Sequence, residues 1–313
     1  MTYSQADITV PYAVANFAEI RHKGYYYVDK TNYIPLLERY KAPVFLRPRR
    51  FGKSLLVSML AHYYDRNMAT QFEDLFGGTW IGEHPTNEHN QYLVVRYDFS
   101  TTSVASKKED IEKNFNAVNC SPLRTLVERN RDLFGDFRFR EDGNASNMLV
   151  EVCEFISSHN LPPLYILIDE YDNFTNQLLV VYKDSLYQDL TTGESFLRTF
   201  FKVIKAGIGE GTIRTCFCTG VLPVTMDDLT SGYNIAEMLT LKPEFTNLLG
   251  FTHEEAAQYL KYVINKYGPQ ASFEELWTLI LNNYDGYHFL PNAEPLFNST
   301  ILTYFLKNFA ELK

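Results

Sequence analysis

The sequence predicts an α/β fold in three layers, α/β/α, with a mainly parallel sheet and a C-terminal helical region. Two observations carry this. Short strands that are apolar throughout alternate with amphipathic helices, the pattern of a parallel sheet covered on both faces. After about residue 250 the pattern becomes wholly helical. No repeat, low-complexity segment or Pro/Gly/Ser-rich linker divides the chain, and the expected division is a core over 1–250 and helices over 251–313.

The first informative strand is Ala42-Pro43-Val44-Phe45-Leu46, a short apolar run of buried-strand length. A polar, basic turn over 47–53 follows. Residues 54–64 then read as a helix with Leu55, Leu56, Met59, Leu60 and Tyr63 on one face. A second strand is expected over 92–99, then helices over 107–117, 122–132 and 147–158. The third strand, 164–168, is almost wholly apolar and runs into Asp169-Glu170. A helix over 194–206 and a strand over 213–218 complete the core. The final helices are expected over 254–266, 273–282 and 296–308.

Composition narrows the class. With 313 residues, 45% of them hydrophobic and 21% charged, the chain has the make-up of a globular protein with a sizeable core. The net charge of −9 gives no support to a nucleic-acid or anionic-lipid partner in bulk, leaving only a local basic site. The longest run without Asp, Glu, Lys or Arg is 14 residues, 155–168, too short and too polar to span a bilayer. The first 20 residues carry Asp7 and Glu19 and do not read as a signal peptide. Four cysteines make no disulfide framework in a chain this long, so a reducing cytoplasm is expected. Cys216 and Cys218, two apart in an apolar run, share one strand face and read as buried thiols rather than metal ligands.

The central chemical signal is Arg47-Pro48-Arg49-Arg50-Phe51-Gly52-Lys53-Ser54 between a strand and a helix. A phosphate loop has the form G-x-x-x-x-G-K-[ST] in that context. The last three positions match, while Arg47 stands at the first glycine, so the loop entry must differ in shape. Gly52 permits a close backbone approach, the amides at the helix start point at an anion, and Lys53 brings a charge to β- and γ-phosphates. The Ser54 hydroxyl is a Mg²⁺ ligand in this reading, and Leu55 closes the segment. Between Arg39 and Lys53 stand six basic residues and no acidic one, although a solvated basic turn is the plain alternative.

The second signal is Tyr165-Ile166-Leu167-Ile168-Asp169-Glu170, four apolar residues and two acids about 115 residues beyond the loop. An acid at the carboxyl end of a buried parallel strand lies where open α/β sheets bind ligands. Asp169 then holds Mg²⁺, through water, and Glu170 orients and polarises the attacking water. A solvated strand end is the plain alternative. The third signal, Thr219 at the end of the strand over 213–218, matches the polar residue that additional-strand ATPases place at the γ-phosphate, and a simple turn explains it equally well. The seven histidines form no zinc-protease pair, and there is no Gly-x-Ser-x-Gly elbow.

Taken in order, Tyr27-Val28-Asp29-Lys30-Thr31, the loop over 47–54, Leu167-Ile168-Asp169-Glu170-Tyr171-Asp172 and Tyr284-Asp285-Gly286-Tyr287-His288-Phe289 form a recognisable series. Thr219-Gly220-Val221, Leu248-Leu249-Gly250-Phe251-Thr252 and Leu296-Phe297-Asn298-Ser299 support it. The series resembles the bacterial AAA-ATPase-like family over about residues 17–309. The resemblance implies a P-loop ATPase core in which Arg47 is a usual residue. Family members often continue into a PD-(D/E)XK nuclease-like domain. No acid-x-Lys core of that kind is present, so the expectation is an ATPase module or a truncated sequence.

The expected function is ATP hydrolysis with Mg²⁺ to drive a conformational change. Lys53, Arg50 and the loop amides bind phosphates, Ser54 and Asp169 hold the metal, and Glu170 activates water. The sequence identifies no arginine finger; Arg49 or Arg50 in cis, or a second copy or partner protein, are the open candidates. The competing reading is a nucleotide-gated switch or interaction module with little turnover. Family analogy alone adds nucleic-acid processing as a third.

Overall fold

The computed structural model describes residues 9–103, 105, 107–141, 143–173, 176, 195–223, 233–268, 271–284 and 286–311. Asp285, part of one motif above, lies outside them, as does Glu194 at the start of an expected helix.

Five parallel strands form one sheet: β1 (Pro43–Leu46), β2 (Leu93–Asp98), β3 (Leu164–Asp169), β4 (Ile213–Gly220) and β5 (Glu237–Met238). Their spatial order is β2-β3-β4-β1-β5. The sheet is therefore parallel throughout, as the unbroken apolar strands predict. β4 is inserted between the phosphate-loop strand β1 and the acid strand β3, with Phe45 opposite Thr219 and Ile168 opposite Cys218.

Strand alternation divides the core in two. Val44, Leu46, Val95, Tyr97, Ile166, Ile168, Cys216 and Cys218 face one cluster, covered by α3 (Lys108–Arg129), α4 (Ala145–His159) and α5 (Phe196–Glu210). Phe45, Val94, Tyr165, Leu167 and Phe217 face the other, covered by α1 (Phe17–His22) and α2 (Lys53–Tyr64). Cys216 and Cys218 lie side by side, Sγ to Sγ 3.8 Å, buried and free.

The break expected at 118–121 does not occur, since α3 is one helix of 22 residues with Pro122 inside it. Proline removes one helical donor and costs stability. Ile111, Phe115, Leu123, Leu126 and Val127 on both sides of it are buried against the sheet, and that burial carries the helix through. Some elements left no strong sequence signal: α1, capped by the Asn16 side chain, the two-residue edge strand β5, and several single-turn helices.

Beyond the sheet, α6 (His253–Tyr267), α7 (Phe273–Tyr284) and α8 (Ser299–Glu311) pack around a third cluster that also takes in Val10. Thr252 and Glu255 form a reciprocal cap at the start of α6. The N-terminal segment is tied to these helices: the Thr9 amide donates to Tyr267 Oη at 2.8 Å, and the Tyr26 ring stacks on Tyr259 at 4.1 Å. No helix among the described residues is long and apolar enough to cross a membrane.

Gly250, at φ +87°, joins core to helices. A Cβ there would stand 2.9 Å from the Phe51 ring and 3.1 Å from the Phe297 carbonyl oxygen. Left-handed backbone and crowding act together, so Gly250→Ala is expected to destabilise the chain by about 1–3 kcal/mol in denaturant titration.

Candidate functional site

The candidate phosphate loop, residues 47–54, leaves β1 and enters α2. Arg50 at φ +72° and Gly52 at φ +95° both occupy the left-handed region, and Gly52 is the N-cap of α2. A Cβ at Gly52 would make only ordinary contacts, the nearest with Ser299 Oγ at 3.7 Å. Glycine is needed there for the turn of the backbone, which aims the first amides of α2 into the loop.

Lys53 is buried and folds back over the loop, donating to the carbonyls of Arg47 at 2.9 Å and Pro48 at 3.1 Å. Burial pushes its ammonium below the ordinary pKa, while the nearby Glu170, Asp169 and Asp172 carboxylates pull it back up. Glu170, at φ +49°, is pushed the other way: burial and the adjacent Asp169 raise its pKa, and Lys53 and Arg49 oppose the rise. These groups feel each other's charge, so the loop and the acid pair share one electrostatic site.

Asp169 is 2% exposed at the carboxyl end of β3. Its Oδ1 accepts a 2.7 Å hydrogen bond from the Thr219 hydroxyl on neighbouring β4. Thr219, expected to face the γ-phosphate, is thus joined directly to the acid strand. Asp172 accepts from the amides of Val221, at 3.1 Å, and Leu222, at 2.7 Å, and so holds the turn that follows β4.

Arg47 does not offer its side chain to an anion in the loop. The guanidinium is 1% exposed and donates to the carbonyls of Leu46 at 3.0 Å, Thr240 at 3.3 Å and Thr246 at 3.0 Å. It lies 4.5 Å from the Phe45 ring centroid and 3.9 Å from that of Phe289, a cation–π sandwich. Burial lowers its pKa to about 10, and Nε has no hydrogen-bond partner. Phe51 is likewise buried, edge-on to Tyr287 and Phe289. Arg49 and Arg50 remain exposed at the loop.

Beside the loop opens a cavity of about 260 Å³, lined by Arg50, Gly52, Lys53, Ser54, Leu55 and Glu170. Its other walls come from distant parts of the chain: Pro11, Val14 and Ala15, then Lys30, then Leu249, Tyr259 and Thr303. Lys30 is buried and paired with Glu255 of α6 at 2.5 Å. The start of α8 and the residue before it touch the loop itself: the Thr300 amide donates to the Arg50 carbonyl at 3.0 Å, and Asn298 Nδ2 donates to that of Arg49 at 3.1 Å. Sequence reasoning assigned no contact to these walls. Their signal was the set of spaced segments, 27–31, 248–252 and 296–299, whose common destination is the loop.

A metal can be tested against the donors. Ser54 and Asp169 offer hard oxygens, which suit Mg²⁺. Among the described residues no cluster of three or more His, Cys, Asp or Glu side chains is placed to hold a metal unaided. A pair of protein oxygens completed by water and phosphate oxygens is how Mg²⁺ is ordinarily held, so the residues fit that ion.

A family model described as "Predicted AAA-ATPase" matches residues 11–230. The chain belongs to this AAA-ATPase-like family. It is also 26% identical over 255 residues to a protein of Azotobacter chroococcum mcd 1 described as "Uncharacterized protein in vnfD 5'region". The match takes in 79% of this chain and 43% of that protein, so the chain spans less than half the length of this curated relative. No solved structure matches.

Two outcomes follow from the site. Arg47→Gly restores the usual first residue of a phosphate loop, yet it strips the donor from three carbonyls; a loss of about 3 kcal/mol or more is expected in unfolding titrations, with no gain in nucleotide affinity. The folded chain holds the Glu170 proton more tightly than the unfolded chain does, since its pKa is raised above the ordinary 4.5. That contribution is complete below the ordinary value and fades as pH rises through the shifted one. Melting curves of Glu170→Gln against wild type across this range should lack that slope.

Proposed function

We propose that this family member binds ATP with Mg²⁺ at the 47–54 loop and hydrolyses it. The observation that carries the reading is the insertion of β4 between β1 and β3, with Thr219 bonded to Asp169 and the charges of Asp169 and Glu170 acting on Lys53. A phosphate loop, a buried acid and an adjacent glutamate at one carboxyl edge is an arrangement suited to phosphoanhydride cleavage.

In this mechanism the α2 amides and Lys53 hold the β- and γ-phosphates, and Lys53 exchanges the Arg47 and Pro48 carbonyls for phosphate oxygens. Arg50, at the cavity wall, adds positive charge. Ser54 and Asp169 hold Mg²⁺, which supplies charge neutralisation at the phosphates. Glu170 accepts a proton from water as its oxygen attacks the γ-phosphorus and the bond to the β–γ bridging oxygen breaks, giving ADP and phosphate. The apolar cavity walls formed by Val14, Leu249 and Tyr259 take the base and ribose.

A second component is favoured by the hydrogen bonds from Asn298 and Thr300 to the loop carbonyls. They give the phosphate loop a mechanical link to the helices over 251–313, so nucleotide occupancy is read out as a shift of that region. A nucleotide-gated switch would use the same link with little turnover. What the movement drives belongs to the partner, a second copy or another protein.

ATP binding and phosphate release in wild type, Lys53→Ala and Glu170→Gln test the reading. Lys53→Ala is expected to lose binding by about 10-fold or more. Glu170→Gln should keep binding while kcat falls about 10²-fold or more. Ordinary turnover in Glu170→Gln removes the assigned base; absence of binding in wild type removes the site. Saturable binding with negligible wild-type turnover selects the switch.

A further inference from the structure

Asp169 is approached from both neighbouring strands. Oδ1 is engaged by Thr219 of β4. On the other side Arg96 of β2 extends its guanidinium to within 3.7 Å of Oδ2. Arg96 pairs in register with Leu167, and Asp98 with Asp169, so the arginine sits two positions upstream and reaches forward along the sheet. Strand parity places Val94, Arg96, Leu167 and Asp169 on the face covered by α2, the helix that begins at the phosphate loop.

The geometry of this pair differs from that of the other arginine pairs. Arg66–Asp132, Arg129–Asp65 and Arg214–Glu88 close to 2.8, 2.9 and 3.0 Å, direct hydrogen-bond distances. Arg96 stands off from Asp169 at a distance that gives charge compensation without a direct bond. The carboxylate side chain is 3% exposed and that of the arginine 40%, so a solvent-side cation faces a buried anion. Among the described residues Arg96 makes no other ion pair. A buried carboxylate without a cation is costly; Lys53 lies within its electrostatic reach on the loop side, and Arg96 supplies positive charge from β2.

We propose that Arg96 is the resident counter-cation of Asp169 and a positioning residue for the divalent metal. The inference rests on the reading of Asp169 as the metal-holding acid. With Oδ1 committed to Thr219, the oxygen facing an incoming cation is Oδ2, where Arg96 already stands. Metal and arginine compete for one charge, so Arg96 sets the metal concentration at which the site loads and keeps the acid aligned beforehand.

The test uses wild type, Arg96→Gln and Arg96→Lys with Mn²⁺ as the probe and ADP as the nucleotide, so that no turnover is involved. ADP binding in EDTA is measured first, with a melting curve for each chain. Free Mn²⁺ is then followed by electron paramagnetic resonance at saturating ADP. Arg96→Gln should reach half-saturation at several-fold lower Mn²⁺, because a positive charge beside the metal-holding carboxylate is removed, and Arg96→Lys, which keeps the charge, should stay near wild type. A merely structural role would weaken Mn²⁺ binding. Unchanged or weaker Mn²⁺ binding in folded Arg96→Gln that still takes ADP overturns this inference alone. Failure of wild type to bind ADP both in EDTA and at saturating Mn²⁺ overturns the phosphate-loop reading, and this inference with it.

Discussion

The Arg47 guanidinium, buried between two phenylalanine rings and bonded to carbonyls of Leu46, Thr240 and Thr246, fixes where the phosphate loop can be. It is the first residue of the loop, yet Thr240, Thr246 and Phe289 lie some 190 to 240 residues further on. Burying an arginine demands that its charge and donors be met. The segments over 240–246 and around Phe289 must therefore close on β1 for the fold to be stable. Once they do, Phe51 is held by Gly250, Tyr287 and Phe289, and the carbonyls of Arg49 and Arg50 meet the start of α8. Loop and helical region are built as one piece.

The carboxyl edge of the sheet answers with the opposite charge. Strand order brings β2, β3 and β4 side by side, and their ends supply Arg96, Asp169 and Thr219. The acid strand is thus met from both sides, by a direct hydrogen bond from Thr219 and by the stand-off charge of Arg96. Glu170, in a left-handed conformation just past the strand end, is the exception. Non-glycine residues are held there only by their surroundings, and such strain collects at functional positions.

Much of this was legible in the residues. Apolar strands of four to eight residues ending in a Gly-Lys-Ser turn and an Asp-Glu pair led to a parallel sheet and to a candidate site at its carboxyl edge, because period and burial are local properties. The role of Arg47 was not legible. As a departure from a glycine pattern it signalled an altered loop, and nothing near it in sequence names Thr240 or Thr246 as its partners. Arg96 was equally hidden, since an arginine inside a strand reads as a solvated side chain until the neighbouring strand is known. The cavity walls escaped for the same reason: Val14, Leu249 and Thr303 meet only in three dimensions. Pro122 misled in the opposite sense, because a local helix breaker was outweighed by burial on both sides of it.

The walls of the cavity are drawn from residue 11 at one end of the chain and residue 303 at the other. During synthesis the sheet can assemble once β4 and β5 have left the ribosome, while the pocket waits for the start of α8. A chain still lacking α8 thus has the residues of its sheet but an incomplete cavity. On the proposed reading, a ligand of that cavity would add stability only once α8 has docked, a late checkpoint on assembly rather than a template for it.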